Sequence, residues 1–376
     1  MSAQTNIVLE PAAQEIADAT SKPPFLYELD YPAARKVLDD IQAAPIEKLP
    51  IDEEWITVPA AVGDARVRLI KPKGAEGILP VIVYMHGGGW VLGNAATHDR
   101  LVRELAVGAR AALAFVEYPN SPEAHYPVAI EQGYATAQWI VREGRSKGLD
   151  PSRIAVIGES VGGDMTAALA LMAQERGDVQ FVHVGMYYPV TDAAMDTESY
   201  DEFADGPYLT RKAMEWFWDA YTTDPAERSE ITASPNHATV DQLKGLPSTL
   251  LLVDEADVLR DEGEAYAAKL RLAGVPVTTV RYDGTVHDFM LLNPLSETKA
   301  ARAAIVLLIR TAPFWPATAN RPDARGCFAR QAAFSRARTR RRRTARNGSR
   351  AGHLAIGPDL VVCLSLPPDY PPAPRL

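Results

Sequence analysis

Six short apolar runs recur along the chain, at residues 81–85, 112–116, 154–157, 181–186, 249–253 and 277–280. None alternates strictly with polar positions, so each predicts a strand buried on both faces, the mark of a parallel sheet between helix layers. Between them lie longer segments with apolar residues three and four apart. Residues 126–143 carry Val128, Ile130, Tyr134, Ala137 and Ile140, and residues 165–176 are rich in Ala and Leu. Residues 260–273 end at Gly274 with Pro276 two positions on, a helix stop, and residues 297–310 close the series. Ahead of the first run, residues 55–70 alternate instead, with Val58, Val62, Val67 and Leu69 around the turn Gly63-Asp64. That pattern predicts an antiparallel pair at one edge. Strands alternating with helices of this length form βαβ units, so the expected fold is α/β, a mostly parallel twisted sheet flanked by helices.

Two segments stand outside the alternation. Residues 1–45 place Phe25, Leu26 and Tyr27 in a charged, helical context, and residues 192–245 hold Tyr208, Trp216, Phe217, Trp218 and Tyr221 without a strand pattern. Aromatics fill cores, but they also line pockets, and the second role predicts a helical cap over the strand ends. Composition adds a further division. Residues 312–376 hold 12 Arg, no Lys and 3 acids, leaving residues 1–311 with 27 basic and 45 acidic side chains, a net −18. Both cysteines, Cys327 and Cys363, fall in that basic tail and supply neither a disulfide framework nor a zinc set. The Arg run at 336–346 lacks interleaved aromatics, so the tail is expected to be a disordered extension with no nucleic-acid partner. No internal repeat is present. The N-terminus has no basic start or apolar run, and the aliphatic stretch 303–309 is too short to span a bilayer. The expectation is a soluble cytoplasmic protein without a stable membrane anchor.

The candidate chemistry centres on Gly158-Glu159-Ser160-Val161-Gly162-Gly163. It joins the run 154–157 to the helix from 165, the strand–turn–helix context of a nucleophile elbow. A phosphate loop needs Gly-Lys-Ser/Thr instead, and no Lys stands here. His86-Gly87-Gly88-Gly89-Trp90 directly follows the run 81–85. Successive glycines leave backbone N–H groups free to turn toward a developing oxyanion, and each such donor is worth about 3–4 kcal/mol. A serine nucleophile needs a base and an orienting acid. Of the histidines after the run 181–186, His237 lies in the aromatic segment and His353 in the tail, whereas His287 follows the run 277–280 through a short loop. His287 is therefore the expected base. For the acid, Asp261 opens a helix and reads as a cap; Asp254 and Asp257, both after the run 249–253, remain equally placed.

The motifs His86-Gly87-Gly88-Gly89-Trp90, Gly158-Glu159-Ser160-Val161-Gly162-Gly163, Asp257-Val258-Leu259-Arg260-Asp261-Glu262 and His287-Asp288-Phe289 resemble those of the hormone-sensitive-lipase-like (bacterial family IV) carboxylesterases over about residues 50–310. The resemblance implies an α/β-hydrolase core at 46–311, with a cap formed by residues 1–45 and an insertion at about 192–245, followed by the tail 312–376. It implies Ser160 as nucleophile, His287 as base and Asp257 as its orienter, the family's D-P-L element falling on Asp257-Val258-Leu259. Gly88, Gly89 and the N–H of Val161 map to the oxyanion hole, and His86 to a brace for the glycine loop. Trp90, Tyr188, Tyr208 and Phe217 are the expected pocket residues. Glu159 and Val161 stand where the family commonly has Asp and Ala, and Asp288 where it has Gly; the β-branched Val161 is expected to narrow the acyl site. The implied activity is hydrolysis of short- to medium-chain esters without metal or organic cofactor, with a homodimer as one expected assembly. Amidase, thioesterase or acyltransferase chemistry on the same triad is the alternative, as is a hydrolase-like binding protein that has lost its base.

Overall fold

The structure, a computed structural model, describes residues 7–311, with the side chains of 309 and 310 excepted; the tail expected to be disordered lies outside the described residues. Eight strands form one sheet: β1 (Ile51–Val58), β2 (Ala65–Pro72), β3 (Leu79–Met85), β4 (Ala112–Glu117), β5 (Leu149–Glu159), β6 (Phe181–Tyr187), β7 (Ser248–Ala256) and β8 (Val277–Val286). Their spatial order is β1-β2-β4-β3-β5-β6-β7-β8. β1 pairs antiparallel with β2, and β2 antiparallel with β4, while every other neighbour is parallel. The unbroken apolar runs have a simple cause. Val81 through Met85 and Ala112 through Val116 are fully buried, because helices cover both faces of the sheet.

Eleven helices are among the described elements. α1 (Pro11–Thr20) and α2 (Tyr31–Gln42) precede the sheet, and α3 (Asp99–Ala109), α4 (Val128–Glu143) and α5 (Val161–Arg176) connect the central strands. α6 (Glu198–Glu202), α7 (Arg211–Tyr221), α8 (Pro225–Arg228) and α9 (Val240–Leu243) occupy the long connection after β6; α10 (Arg260–Leu272) and α11 (Lys299–Thr311) complete the layers. Local chemistry sets the ends. Asp30 caps α2 by accepting from the Ala33 N–H at 2.8 Å, with Pro32 in the first turn, and α10 stops before Gly274 at φ 82°. α3 is the long helix that the spacing did not predict. Its stripe Leu101, Val102, Leu105, Ala106 and Ala109 is regular, but its first turn buries Asp99 and Arg100, whose charge reads as solvent-facing in the sequence. Both are paired: Asp99 with Arg68, Arg103 and Lys48, and Arg100 with carbonyls of the 290–291 loop.

β3 is where the chain changes direction across the sheet, running out to β4 on one side and then back to β5 on the other. In an open α/β sheet, the loops leaving such a pair diverge and form a crevice at the carboxyl ends. Met85 pairs with Gly158 in register, so the segments that begin at His86 and Ser160 emerge side by side. The N-terminal segment is tied over this crevice. Arg35 donates to the carbonyls of Val91 and Ser121 and pairs with Glu123. Gln42 bridges Thr97 O at 2.7 Å, Leu291 O at 3.0 Å and the Asn293 N–H at 2.8 Å. Among the described residues no helix is long and apolar enough to cross a membrane.

Candidate active site

Ser160 occupies the turn between β5 and α5 with φ 56° and ψ −124°, a conformation that residues with a Cβ avoid. Its N–H donates to Tyr187 O at 2.8 Å and its carbonyl accepts from Val190 at 3.2 Å, which holds the strained turn in place. Strand and helix approach too closely for side chains at the flanking positions. A Cβ on Gly162 would lie 2.1 Å from Met85 O, and one on Gly158 2.4 Å from Gly162 O. The G-x-S-x-G spacing is thus a packing requirement.

His287 comes immediately after β8 and turns its Nε2 to within 2.9 Å of Ser160 Oγ. Its Nδ1 lies 2.7 Å from Asp257 Oδ2, while Asp257 Oδ1 accepts from the Leu259 N–H at 3.0 Å. Tyr188 packs its ring edge against the imidazole with centroids 5.0 Å apart. All three side chains are buried. Burial opposes a charged imidazole, but the carboxylates of Asp257 and Asp288 outweigh it, so the pKa of His287 is raised above 6.5. Of the two acids that spacing left open, Asp257 is the one hydrogen-bonded to His287. The arrangement can move a proton from Ser160 Oγ to Nε2 while the imidazolium that forms is stabilised by Asp257.

The glycine loop lies opposite. Gly88 and Gly89 take φ of 100° and 61°, and no described acceptor binds the N–H of Gly88, Gly89 or Val161. Gly89 has a second constraint, since a Cβ there would fall 2.1 Å from the Phe217 ring. A buried network fixes the loop from behind. Glu159 Oε1 accepts from the Gly87 N–H at 2.5 Å and meets His98 Nε2 at 2.6 Å, and Oε2 accepts from the Tyr84 hydroxyl. Burial opposes a proton on His98, yet Glu159 more than offsets it and the His98 pKa is raised. His86 stacks on Tyr118 at 4.0 Å and donates through Nδ1 to Gly87 O at 2.8 Å. Burial, together with the neighbouring His98, pushes its pKa well down, so it is a neutral brace. Sequence reasoning named Glu159 only as a departure from the family and did not find Tyr84 or His98.

A cavity of about 200 Å³ opens beside Ser160, Gly88, Gly89 and His287. Tyr208 and Phe217 line it. Trp90 and Tyr188 do not: Trp90 stacks on Tyr221 at 4.1 Å and leans on Trp218 at 4.7 Å, while Tyr188 is spent against His287 and Phe289. Val161 is fully buried and also outside the lining, so its side chain does not narrow this cavity. Much of the wall comes instead from the N-terminal segment, through Phe25, Leu26, Leu29 and Ile41. Asp288 adds a carboxyl group to the lining. It is buried at φ 66°, with Oδ2 3.5 Å from the Tyr208 hydroxyl and Oδ1 3.8 Å from His287 Nε2; Oδ1 has no hydrogen-bond partner among the described residues, and burial raises the Asp288 pKa. Among the described residues, Asp254, Asp257 and His287 form a group with metal-ligand reach, but the relay already engages His287 Nδ1 and Asp257.

Known proteins are similar to this chain in sequence and in fold. The α/β-hydrolase fold family matches residues 82–291. The carboxylesterase NlhH of Mycobacterium tuberculosis is 35% identical over 283 residues, covering 73% of this chain and 88% of that protein. An ethyl acetate hydrolase of Pseudomonas putida is 35% identical over 235 residues, covering 61% of this chain and 73% of its own. A thermostable esterase from Pseudomonas putida ECU1011, known by its crystal structure, is 44% identical with a TM-score of 0.80, covering 82% of this chain and 98% of that one. By this match the chain belongs to the α/β-hydrolase family and, within it, to the hormone-sensitive-lipase-like carboxylesterases that hydrolyse carboxylic esters.

Proposed function

We propose that this carboxylesterase cleaves short- to medium-chain esters through an acyl-enzyme on Ser160. His287 takes the Ser160 proton as Oγ adds to the ester carbonyl. The oxyanion accepts hydrogen bonds from Gly88, Gly89 and Val161, each worth about 3–4 kcal/mol. Collapse breaks the bond to the alkoxide, which leaves as alcohol with the proton from His287. Water then gives its proton to His287 and adds to the acyl carbon, and collapse releases the acid as His287 returns that proton to Ser160 Oγ. Asp257 keeps the imidazole in the tautomer that presents Nε2 to Ser160.

The observation carrying this reading is the continuous relay from Asp257 through His287 to Ser160, with spacings of 2.7 and 2.9 Å, beside three unclaimed N–H donors. The acyl range is supported by the small, apolar-walled cavity of about 200 Å³ beside Ser160, which suits a small ester. The ethyl acetate hydrolase relative supports the same range. Residues 1–45 and 192–245 act together as the cap, a reading supported by the lining residues that each contributes.

Turnover of p-nitrophenyl esters from acetate to palmitate tests the proposal. The expected result is an optimum at acetate to octanoate and a loss of about a millionfold in Ser160→Ala and in His287→Ala, because the triad acts as a unit. A palmitate optimum contradicts the acyl range, and residual turnover near wild type in Ser160→Ala contradicts the mechanism.

A further inference from the structure

Asp254 is a buried acid that the mechanism does not use. It stands at the carboxyl end of β7, three residues before Asp257, where the register against β8 shifts between Asp254 and Ala256. The shift brings both carboxyl groups toward the end of β8 at Thr285 and the following His287. Carboxyl oxygens of Asp254 and Asp257 and a ring nitrogen of His287 all lie within 4.8 Å of one another.

The donors around Asp254 do not match an ionised group. Thr285 Oγ1 is 3.3 Å from Asp254 Oδ1 but only 2.7 Å from Tyr282 O, so its single proton belongs to that carbonyl. Asp254 Oδ2 has no donor at all among the described residues. The other titratable groups facing Asp254 are Asp257, Asp288 and the Tyr188 phenol, none of them a cation, and His287 directs its Nδ1–H to Asp257. A carboxylate in this position would be fully buried with another carboxylate beside it, an arrangement in which one of the pair holds its proton. Burial and the two neighbouring acids push the Asp254 pKa well up. Asp257 is the better-satisfied acceptor of the two, because it receives the His287 and Leu259 N–H groups.

We propose that Asp254 is a positioning residue: it is a neutral carboxylic acid at pH 7 and donates its proton as a hydrogen bond to Asp257. This contact adds a third hydrogen bond to Asp257 and withdraws part of its negative charge, which moderates the basicity of His287. The inference rests on Asp257 orienting His287.

The test compares wild type, Asp254→Asn and Asp254→Ala by the pH profile of kcat/KM on p-nitrophenyl butyrate, with thermal denaturation to verify folding. An Asn amide donates as the acid does. The expected result is an acid limb in Asp254→Asn at the wild-type position. In Asp254→Ala, kcat/KM falls by about tenfold, the scale of one hydrogen bond to a charged group, and the limb moves to higher pH. If Asp254 is instead ionised, Asn removes a charge about 5 Å from His287 and lowers the limb by about two pH units, overturning the proposal. An alanine variant with a wild-type profile overturns it as well. Infrared difference spectra of wild type against either variant give a readout independent of catalysis. A carboxylic-acid carbonyl band assigned to Asp254 at pH 7 supports the proposal, and its absence overturns it. Because that band does not depend on turnover, it separates failure of this inference from failure of the triad assignment, which Ser160→Ala reports.

Discussion

Replacing Glu159 by alanine tests whether the glycine loop is held by the network behind it. The carboxylate serves three partners at once: the Gly87 N–H at 2.5 Å, the His98 ring at 2.6 Å and the Tyr84 hydroxyl, all buried. Each neutral donor left unpaired costs about 1–3 kcal/mol, and breaking a buried ion pair from one side costs about 3–5 kcal/mol. These contributions share one site and do not add, so the expected loss is about 4 kcal/mol, against a total stability of about 5–15 kcal/mol. A chain of this size loses about 2 °C of Tm per kcal/mol, which gives a fall of about 8 °C by calorimetry. Activity should fall too, since Gly87 precedes the two oxyanion glycines and a shift of about 1 Å costs about a hundredfold. Glu159→Gln keeps an acceptor for Gly87 and should lose less. It also removes a pH dependence. The His98 pKa is raised on folding, so its pairing stabilises fully below its unfolded pKa near 6.5 and is lost as pH rises through the folded value. Urea denaturation from pH 5 to 9 should show that slope in wild type and not in Glu159→Gln. An alanine variant destabilised by less than about 1 kcal/mol with wild-type kcat would refute the reasoning.

Further outcomes follow from the same geometry. Because His287 must be neutral to accept the Ser160 proton and its pKa is raised, the acid limb of kcat/KM should lie above pH 6.5, activity rising as pH rises through it; a limb below 6 contradicts the assigned environment. Asp288→Gly relieves a Cβ at φ 66° and should stabilise the fold by about 1 kcal/mol in thermal denaturation. The same variant removes a carboxyl group beside His287 and should move the limb to lower pH. Gln42→Ala strands the Asn293 N–H and loosens the tie over the crevice, so about 1–3 kcal/mol of stability should go, with a rise in KM for p-nitrophenyl esters. Truncation after Thr311 should leave kcat/KM within about twofold of the full chain, since Ser160, His287, Asp257 and the described cavity-lining residues all precede the cut; a large loss in folded protein contradicts this.

The sheet was legible because its strands are buried on both faces, which removes polar positions from the runs and leaves little room for another reading. Ser160 was legible because its strained turn admits only glycine at the contact points. His287 could be reached by position along the chain, but Asp254 and Asp257 could not be separated by spacing. Asp254 lies at the end of β7 and Asp257 just beyond it, both are buried, and the register shift after Asp254 is not visible in the spacing. Side-chain direction was illegible for a related reason. Trp90 and Tyr188 adjoin motif residues, yet their backbones take φ of 60° and 36°, and their rings pack into the core away from the cavity. The Glu159–His98 pair spans 61 residues, and Gln42 meets Asn293 across 251. Contacts so distant leave no local pattern, so the network behind the glycine loop and the N-terminal share of the pocket wall became visible only in three dimensions.

The central claim is that Ser160 carries the acyl group. It is tested most directly by reacting the enzyme with a fluorophosphonate and locating the adduct by intact-mass and peptide mass spectrometry. The account predicts one adduct per chain, on the peptide holding Ser160, lost in Ser160→Ala and strongly slowed in His287→Ala. An adduct on another residue, or ester turnover persisting at the wild-type rate once Ser160 is fully labelled, would contradict it.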